Sequence, residues 1–314
     1  MKWKVLVSAP YMQPVPEKWR RVLEENGVEI VAPPVAERLS EEELLGLVGD
    51  IDGVISGDDQ FTGRVFAAAP RLKVIAKWGT GIDSIDRKAA RDSGVSVRNT
   101  PGAFTGPVAD SVMGYILCFA RRLPWMHEDM RSGKWKKAIG VSLAECTLGV
   151  IGVGNIGRAV TGRAAAFGMR LLGNDIRDVP RSFLEETGLT MVSKEELLRQ
   201  ADFVSLNCDL NPASYRIIGG RELKLMKSTA CLVNTARGAL VDERALVEAL
   251  KKAEIGGAAL DVFEVEPLPA DSPLRAMDNV MLAPHNSNSS PAAWERVHEN
   301  TVKNLLDELR KGAK

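Results

Sequence analysis

The sequence of 314 residues has no excess of charge of either sign, because 41 Lys and Arg residues are balanced by 41 Asp and Glu residues. It has no long run of like charges, so nothing in it favours binding to nucleic acid or to an anionic membrane. No apolar stretch reaches the length that spans a membrane. The residues after Met1 run directly into a strand pattern rather than a signal peptide. We therefore expect a cytoplasmic protein.

Cysteine and histidine are scarce. The four cysteines are far apart in the chain, at Cys118, Cys146, Cys208 and Cys231. No pair has the spacing of a metal or redox motif, which favours reduced thiols in the core. The three histidines are His127, His285 and His298. No two of them lie on one predicted helix face, so we predict no metal site.

The pattern that is present is an alternation of strands and helices, which is typical of parallel sheets covered on both faces. Strands are predicted over residues 4–8, 28–31, 53–56, 72–76 and 95–97. Helices are predicted at 16–25 and after Ser40, where Glu43 completes a capping box. These elements form a complete five-stranded α/β unit.

A long helix over 107–122 leads into a second series of strands, at 147–151, 169–174, 202–207, 230–235, 258–262 and 279–283. Helices capped by Ser193 and Asp242 lie between them. The last segment, 291–314, is one amphipathic helix with no strand after it, so it must dock on a unit already formed. We predict two doubly wound α/β domains. Residues 102–286 form a Rossmann domain inserted into a discontinuous, flavodoxin-like substrate domain of residues 1–101 and 287–314, and substrate meets cofactor in the cleft between them.

A glycine turn in the middle of the chain, Gly152-Val153-Gly154-Asn155-Ile156-Gly157, indicates a dinucleotide site. In such a site Gly152 makes the tight turn, Gly154 lets a pyrophosphate approach, and Gly157 allows the helix to pack on the strand. Asp175 ends the next strand, where it accepts hydrogen bonds from the ribose diol and repels a 2′-phosphate.

Two alternatives remain for this turn: a methyltransferase-like nucleotide site, and a turn that contains glycine for steric reasons only. Arg177 and Arg181 follow Asp175 and would suit a 2′-phosphate. Because Asp175 is acidic, NAD is favoured over NADP.

Ionisable residues follow three later strands, at the sheet edge where ligands bind in open parallel sheets. They are Arg237, Glu266 and His285, with Asp261 at the end of the strand before Glu266. Each one alone has a structural explanation: a strand cap, a solvated turn, or a histidine of the core. Together they supply a cation for a carbonyl oxygen, an acid to protonate it, and a carboxylate to keep that acid charged.

The chain resembles the D-isomer-specific 2-hydroxyacid dehydrogenase family, and the resemblance covers nearly its whole length. The segments that carry it are 79–86, 99–102, 152–175, 234–238, 261–267 and 284–285. The resemblance implies that Arg237 binds the substrate carboxylate and carbonyl. It also implies that His285 is the general acid or base and that Glu266 raises the pKa of its imidazole.

Further roles are implied by the same resemblance. Asp261 is expected to bind the nicotinamide carboxamide, and the amides of Asn155 and Ile156 the pyrophosphate. Cys208 and Ala236 are assigned to the cofactor site with them. The resemblance also implies a small 2-hydroxy or 2-oxo acid as substrate, with its carboxylate bound by a turn that contains Gly79, Thr80 and Gly81.

Three features differ from the family pattern or bear on substrate choice. The family usually has a glycine soon after the histidine, whereas residues 286–290 contain only Asn and Ser. Their side chains are expected to narrow or polarise the substrate pocket. Lys77 either binds a second acidic group of the substrate or extends from a strand end to solvent. Trp78 is a pocket wall or part of the core. Since the sequence stops at Lys314, we expect no C-terminal regulatory domain.

Residues 125–140 interrupt the regular pattern with Trp125, Met126 and Trp135. In the family a comparable arm packs on a second subunit, so a homodimer through this arm and the NAD domain is favoured over a local cap. The family also contains NADH-sensing corepressors and phosphite and formate dehydrogenases. Glu266 argues against a formate enzyme, whereas a corepressor or a phosphite enzyme stays an alternative to the hydroxyacid dehydrogenase.

Overall fold

The computed structural model describes residues 2–311. Contacts divide the chain into two compact units, one formed by Met1–Phe104 and Ser290–Lys314 and the other by Thr105–Ser289. The predicted limits of 1–101 with 287–314 differ from these by three residues at each junction. The first unit is thus assembled from both ends of the chain, and the second is inserted between them.

The first unit contains a parallel sheet of five strands. They are β1 (Trp3–Val7), β2 (Val28–Val31), β3 (Gly53–Ser56), β4 (Val74–Lys77) and β5 (Ser96–Arg98). Their order across the sheet is β2-β1-β3-β4-β5, which is the flavodoxin-like order. Every residue of β3 and β4 is buried, as expected for central strands with both faces covered.

The second unit contains a parallel sheet of seven strands. They are β6 (Thr147–Ile151), β7 (Arg170–Asn174), β8 (Thr190–Met191), β9 (Phe203–Leu206), β10 (Cys231–Asn234), β11 (Gly257–Leu260) and β12 (Val280–Leu282). Their order is β12-β11-β10-β9-β6-β7-β8, which is the Rossmann order with one added strand at an edge. The strand order reverses between β6 and β9, where ligands bind in open α/β sheets.

Helices cover both sheets. They are α1 (Glu17–Glu25), α2 (Glu41–Leu45), α3 (Gly63–Ala67), α4 (Arg87–Asp92), α5 (Thr105–Arg121), α6 (Leu123–Arg131), α7 (Asn155–Ala166), α8 (Arg181–Thr187), α9 (Lys194–Gln200), α10 (Gly220–Leu223), α11 (Glu243–Lys251) and α12 (Pro291–Lys311). Within residues 2–311, no helix is both long enough and apolar enough to cross a membrane.

Side-chain caps begin several helices as predicted. The Ser40 hydroxyl accepts a hydrogen bond from the Glu43 amide, and the Glu43 carboxylate accepts one from the Ser40 amide, which is the predicted capping box. The side chains of Ser193 and Asp242 cap α9 and α11 by accepting from the amides of Glu196 and Ala245. These caps satisfy amides that have no partner within the helix.

Helix α12 packs on β3, β4 and β5 of the first unit, which confirms that the last helix docks on a sheet already formed. Its buried stripe includes Val297, Val302 and Leu305. A Cβ at Gly53 of β3 would lie 2.9 Å from Leu305 Cδ1, so glycine permits this close approach. The predicted helix extended to Lys314, and its last three residues, 312–314, lie outside the described residues.

The segment predicted to interrupt the regular pattern begins with a helix, α6, which the sequence pattern did not predict. Trp125 on this helix packs against Phe119, with ring centroids 5.2 Å apart, and its indole nitrogen donates to the Asp278 carbonyl at 2.7 Å. Trp125 is therefore a local packing residue of the second unit. Trp135 beyond it is 84% exposed.

Candidate active site

The glycine turn joins β6 to α7 at the point where the strand order of the second sheet reverses. Gly152 has φ of +89°, and a Cβ there would lie 2.6 Å from the Cys208 amide nitrogen. A Cβ at Gly157 would lie 2.0 Å from the Gly152 carbonyl oxygen. Only glycine fits at these two positions, since the turn packs against the end of β9 and against its own helix.

Gly154 serves a different purpose, because its surroundings are open. A Cβ there would meet only the Arg177 guanidinium, at 3.6 Å. Gly154 is the N-cap of α7 and has no side chain to bond the first amides of the helix, which belong to Asn155 and Ile156. Open space in front of uncapped amides fits the pyrophosphate of a dinucleotide.

Asp175 follows β7, and two backbone amides hold its carboxylate. Its Oδ2 accepts from the Val153 amide at 2.6 Å, and its Oδ1 accepts from the Arg177 amide at 2.8 Å. The side chain of Asp175 is only 7% exposed, whereas that of Arg177 is 72% exposed. The acid is thus fixed beside the glycine turn, as a ribose-binding carboxylate requires.

Cys208 and Ala236 lie just beyond the ends of β9 and β10, and both are half-buried. Burial raises the pKa of the Cys208 thiol to about 11, so at neutral pH it is an uncharged thiol beside Gly152. The Ala236 amide donates to Asn234 Oδ1 at 3.1 Å. Both residues therefore border the sheet edge that carries the glycine turn.

Arg237 lies in a turn that Asn234 holds in place. The Asn234 side chain is buried, and its Nδ2 donates to the Arg237 carbonyl at 2.8 Å. A Cβ at Gly238 would lie 1.9 Å from the Phe263 carbonyl carbon. The absence of a side chain at Gly238 thus lets the Arg237 turn pack directly on the loop that carries Glu266.

Glu266 and His285 are in contact. His285 Nδ1 lies 3.1 Å from Glu266 Oε2, and both side chains are largely buried. The other carboxylate oxygen, Oε1, accepts from the Phe263 amide at 2.9 Å. The carboxylate is therefore oriented by the backbone and can hold one tautomer and one orientation of the imidazole.

Asp261 supports His285 through the backbone. Its carbonyl accepts from the His285 amide at 2.8 Å, and its two carboxylate oxygens accept from the amides of Asn286 and Ser287 at 2.8 and 2.9 Å. His285 has φ of +51°, a left-handed conformation that is costly for a residue other than glycine. The resemblance implied a cofactor contact for Asp261. The structure shows that Asp261 also holds the loop after His285, through backbone amides that leave no sequence motif.

In the first unit, Lys77 ends β4 and is only 4% exposed. Its Nζ lies 3.1 Å from Asp58 Oδ1, in an ion pair whose acid is 31% exposed. Sequence reasoning did not single out Asp58, because a partner from another strand end has no fixed spacing to its lysine. Lys77 therefore does not extend to solvent.

Trp78 belongs to an aromatic cluster of the first unit. Its ring stacks on Tyr11 at 4.7 Å, meets Trp294 edge-on at 6.1 Å, and lies 5.4 Å from Phe104. The indole nitrogen donates to His298 Nδ1 at 3.2 Å. Trp78 is 3% exposed, so the structure places it in the core of this unit.

The turn formed by Gly79, Thr80 and Gly81 follows directly. Gly79 has φ of +128°, which favours glycine. Its carbonyl accepts from the Thr100 amide and from Thr100 Oγ1, each at 2.9 Å. The Thr80 carbonyl accepts from Asn99 Nδ2 at 2.6 Å. The two segments that the sequence singled out in the first hundred residues, 79–86 and 99–102, are thus bonded to each other.

The chain matches a known family over more than half of its length. Residues 113–287 match the family model described as the NAD binding domain of D-isomer specific 2-hydroxyacid dehydrogenases. The chain is 42% identical over 283 residues to a glyoxylate reductase of Korarchaeum cryptofilum, covering 88% of this chain and 83% of that protein.

The chain is also 42% identical over 314 residues to a D-3-phosphoglycerate dehydrogenase of Methanocaldococcus jannaschii, of which it spans 58% while 98% of this chain is covered. Among solved structures, a D-lactate dehydrogenase from Aquifex aeolicus complexed with NAD and lactic acid matches with a TM-score of 0.88. Their sequences are 28% identical, and the match covers 98% of this chain and 96% of that one. The chain therefore belongs to the D-isomer specific 2-hydroxyacid dehydrogenase family and is an NAD-dependent oxidoreductase of that family.

Proposed function

We propose that the enzyme reduces a small, unphosphorylated 2-oxo acid to the D-2-hydroxy acid, with glyoxylate as the first substrate to test. The observation that carries this proposal is the His285–Glu266 contact of 3.1 Å in the NAD-binding unit, on the loops that follow β11 and β12. Glyoxylate is favoured because one relative, a glyoxylate reductase, is 42% identical to this chain and is matched over 83% of its own length.

Arg237 is proposed to bind the substrate carboxylate and to polarise the carbonyl oxygen at C2, because a guanidinium offers several N–H donors in a planar fork. His285 donates a proton to that oxygen in the reduction and removes it in the reverse direction. Bound NADH supplies the hydride that C2 accepts.

Glu266 is proposed to tune His285. A carboxylate in contact with an imidazole stabilises its protonated form, which is the form that a reduction requires. The Phe263 amide bonds the second carboxylate oxygen and so keeps the charge of Glu266 directed at Nδ1. The other ring nitrogen, Nε2, is then the one assigned to the substrate.

A preference for NAD over NADP is proposed from Asp175. Its carboxylate is buried and held by the amides of Val153 and Arg177. A fixed negative charge at the ribose position repels a 2′-phosphate. Arg177 is the exposed cation nearby and would favour NADP only if the charge at Asp175 were removed.

The ion pair of Lys77 supports an unphosphorylated substrate. Its charge is compensated by Asp58, and the side chain is buried. We therefore assign to Lys77 no second acidic group of the substrate, and we assign Trp78 to the support of the turn. The substrate carboxylate is assigned to the amides of Gly79, Thr80 and Gly81.

A homodimer is proposed from apolar side chains that the second unit exposes. Trp135 is 84% and Ile139 is 96% exposed, and both lie in the segment after α6. Large apolar side chains that are exposed together are typical of a protein interface.

The test is a screen of NADH oxidation with glyoxylate, hydroxypyruvate, pyruvate, phosphohydroxypyruvate and bulkier 2-oxo acids. We expect glyoxylate or hydroxypyruvate to give the highest kcat/KM. Arg237→Ala should abolish this turnover with little change in the affinity for NADH. Binding of NADH without turnover of any of these acids would refute the proposed reaction, and a parallel loss of NADH affinity would assign Arg237 a structural role.

A further inference from the structure

We propose that Lys77 is a positioning residue that orients the Gly79 amide toward the substrate carboxylate. The inference rests on the proposed function, because it assigns a cause to the geometry of the substrate-binding turn. Lys77 acts through the Trp78–Gly79 peptide and does not itself bind substrate.

The Lys77 ammonium is fixed in place beneath this turn. Its Nζ lies 3.1 Å from Asp58 Oδ1. It also lies 3.6 Å from the point that a Cβ at Gly79 would occupy. A buried ammonium requires a charged partner and hydrogen-bond acceptors, which limits the positions open to it.

Lys77 Nζ donates a hydrogen bond to the Trp78 carbonyl oxygen at 3.3 Å. The Trp78–Gly79 peptide is trans, since the cis peptides of the described chain are Gln13-Pro14 and Glu266-Pro267. In a trans peptide the C=O and N–H bonds point in opposite directions. By holding the Trp78 carbonyl, Lys77 therefore directs the Gly79 N–H away from the cation.

The next two peptides are held in the same manner. Thr100 bonds the Gly79 carbonyl through its amide and its hydroxyl, and Asn99 bonds the Thr80 carbonyl. Three consecutive carbonyls thus each have a donor. Among residues 2–311, no backbone carbonyl accepts a hydrogen bond from the amides of Gly79, Thr80 or Gly81.

Three consecutive amides without a backbone acceptor are suited to an anion such as a carboxylate. Thr100 and Asn99 fix the second and third peptides, and Lys77 is the side chain that fixes the first. Loss of Lys77 should free the Trp78–Gly79 peptide to rotate, so that the substrate has to order it on binding. The cost falls on substrate affinity and not on the hydride-transfer step or on NADH binding.

The test compares wild type with Lys77→Met, which keeps the length of the side chain but removes its charge and its donor. The KM for the preferred 2-oxo acid should rise about 10- to 100-fold, which corresponds to the loss of one hydrogen bond to a charged group. The Kd of oxamate, a non-reacting 2-oxo acid analogue, should rise equally in the NADH complex. We expect kcat and the Kd of NADH to change by less than about threefold.

Lys88→Met is the matched control, because Lys88 lies in the same unit and pairs with Asp92 on an exposed helix. It should leave KM unchanged. An unchanged KM in Lys77→Met, or equal losses in KM, kcat and NADH affinity, would overturn the positioning role.

If Lys77→Met does not fold, Lys77→Met combined with Asp58→Asn removes both charges of the pair, and the same changes are expected. The two hypotheses fail differently. Absence of 2-oxo acid turnover by the wild-type enzyme refutes the proposed function. Turnover that is insensitive to Lys77 refutes only the positioning role.

Discussion

Replacement of Asp261 by Asn tests whether this buried carboxylate holds the loop that carries His285. The two carboxylate oxygens accept from the amides of Asn286 and Ser287, at 2.8 and 2.9 Å. Asp261 is only 1% exposed, so water cannot replace a lost hydrogen bond. An Asn side chain keeps one acceptor and turns its NH2 group toward a backbone N–H.

The expected cost follows from this geometry. A hydrogen bond to a charged group contributes about 1.5–3 kcal/mol, and a buried donor left without an acceptor costs about 1–3 kcal/mol. We expect a loss of about 3 kcal/mol in the free energy of unfolding. For a unit of this size that lowers Tm by about 6–12 °C. Because His285 would move with the loop, kcat/KM should fall by about tenfold or more.

Thermal unfolding followed by circular dichroism without cofactor measures the stability, since a lost cofactor contact cannot contribute there. Asp271→Asn is the matched control, because Asp271 lies in the same connection between β11 and β12 and is exposed. It should leave both Tm and turnover unchanged. If Asp261→Asn has the same Tm as the wild type, the structural role is refuted. If its Tm is unchanged but its affinity for the cofactor is lower, Asp261 contacts the cofactor and does not stabilise the loop.

Three further predictions concern the proposed site and assembly. Glu266→Gln should lower kcat for reduction and move its decline to lower pH, because the neutral amide no longer stabilises protonated His285; an unchanged pH profile of kcat would contradict the pairing. Asp175→Asn should raise the ratio of kcat/KM for NADPH over NADH by about tenfold or more, through loss of charge repulsion, and an unchanged ratio would exclude the ribose role. Trp135→Ser with Ile139→Ser should shift a dimer to monomer in light scattering after size exclusion, and a monomeric wild type would refute the interface.

The regular elements of the fold could be predicted closely because their signals are local. The bounds of β2, β3 and β6 are those expected from apolar runs between turn residues. The strand order confirmed the doubly wound class. Helix α6 was missed because Pro124 reads as a helix breaker in the sequence, although it lies in the first turn, where proline is well accommodated.

Part of the candidate site could also be predicted, because fixed spacing along the chain reports on it. The glycine turn and the acid at position 175 belong to one βαβ unit, and the predicted pair of Glu266 and His285 is in contact. Each of these follows a strand of one parallel sheet, so the carboxyl ends bring them to one edge. The supporting amide of Phe263 was not predictable, since a backbone donor leaves no trace in residue identity.

Lys77 shows why local signals cannot assign the remaining residues. A lysine at the end of a strand is compatible with solvent, with a substrate anion or with an ion pair, and its neighbours in sequence do not distinguish these environments. The distinction depends on Asp58, which lies 19 residues earlier in the chain. Strands β3 and β4 are adjacent, and Ser56 of β3 is paired with Lys77 of β4, so Asp58, two residues after Ser56, comes close to the lysine. Strand pairing therefore decides whether the charge is available to a ligand. In the proposed role, Lys77 affects substrate binding only through the Trp78–Gly79 peptide that follows it.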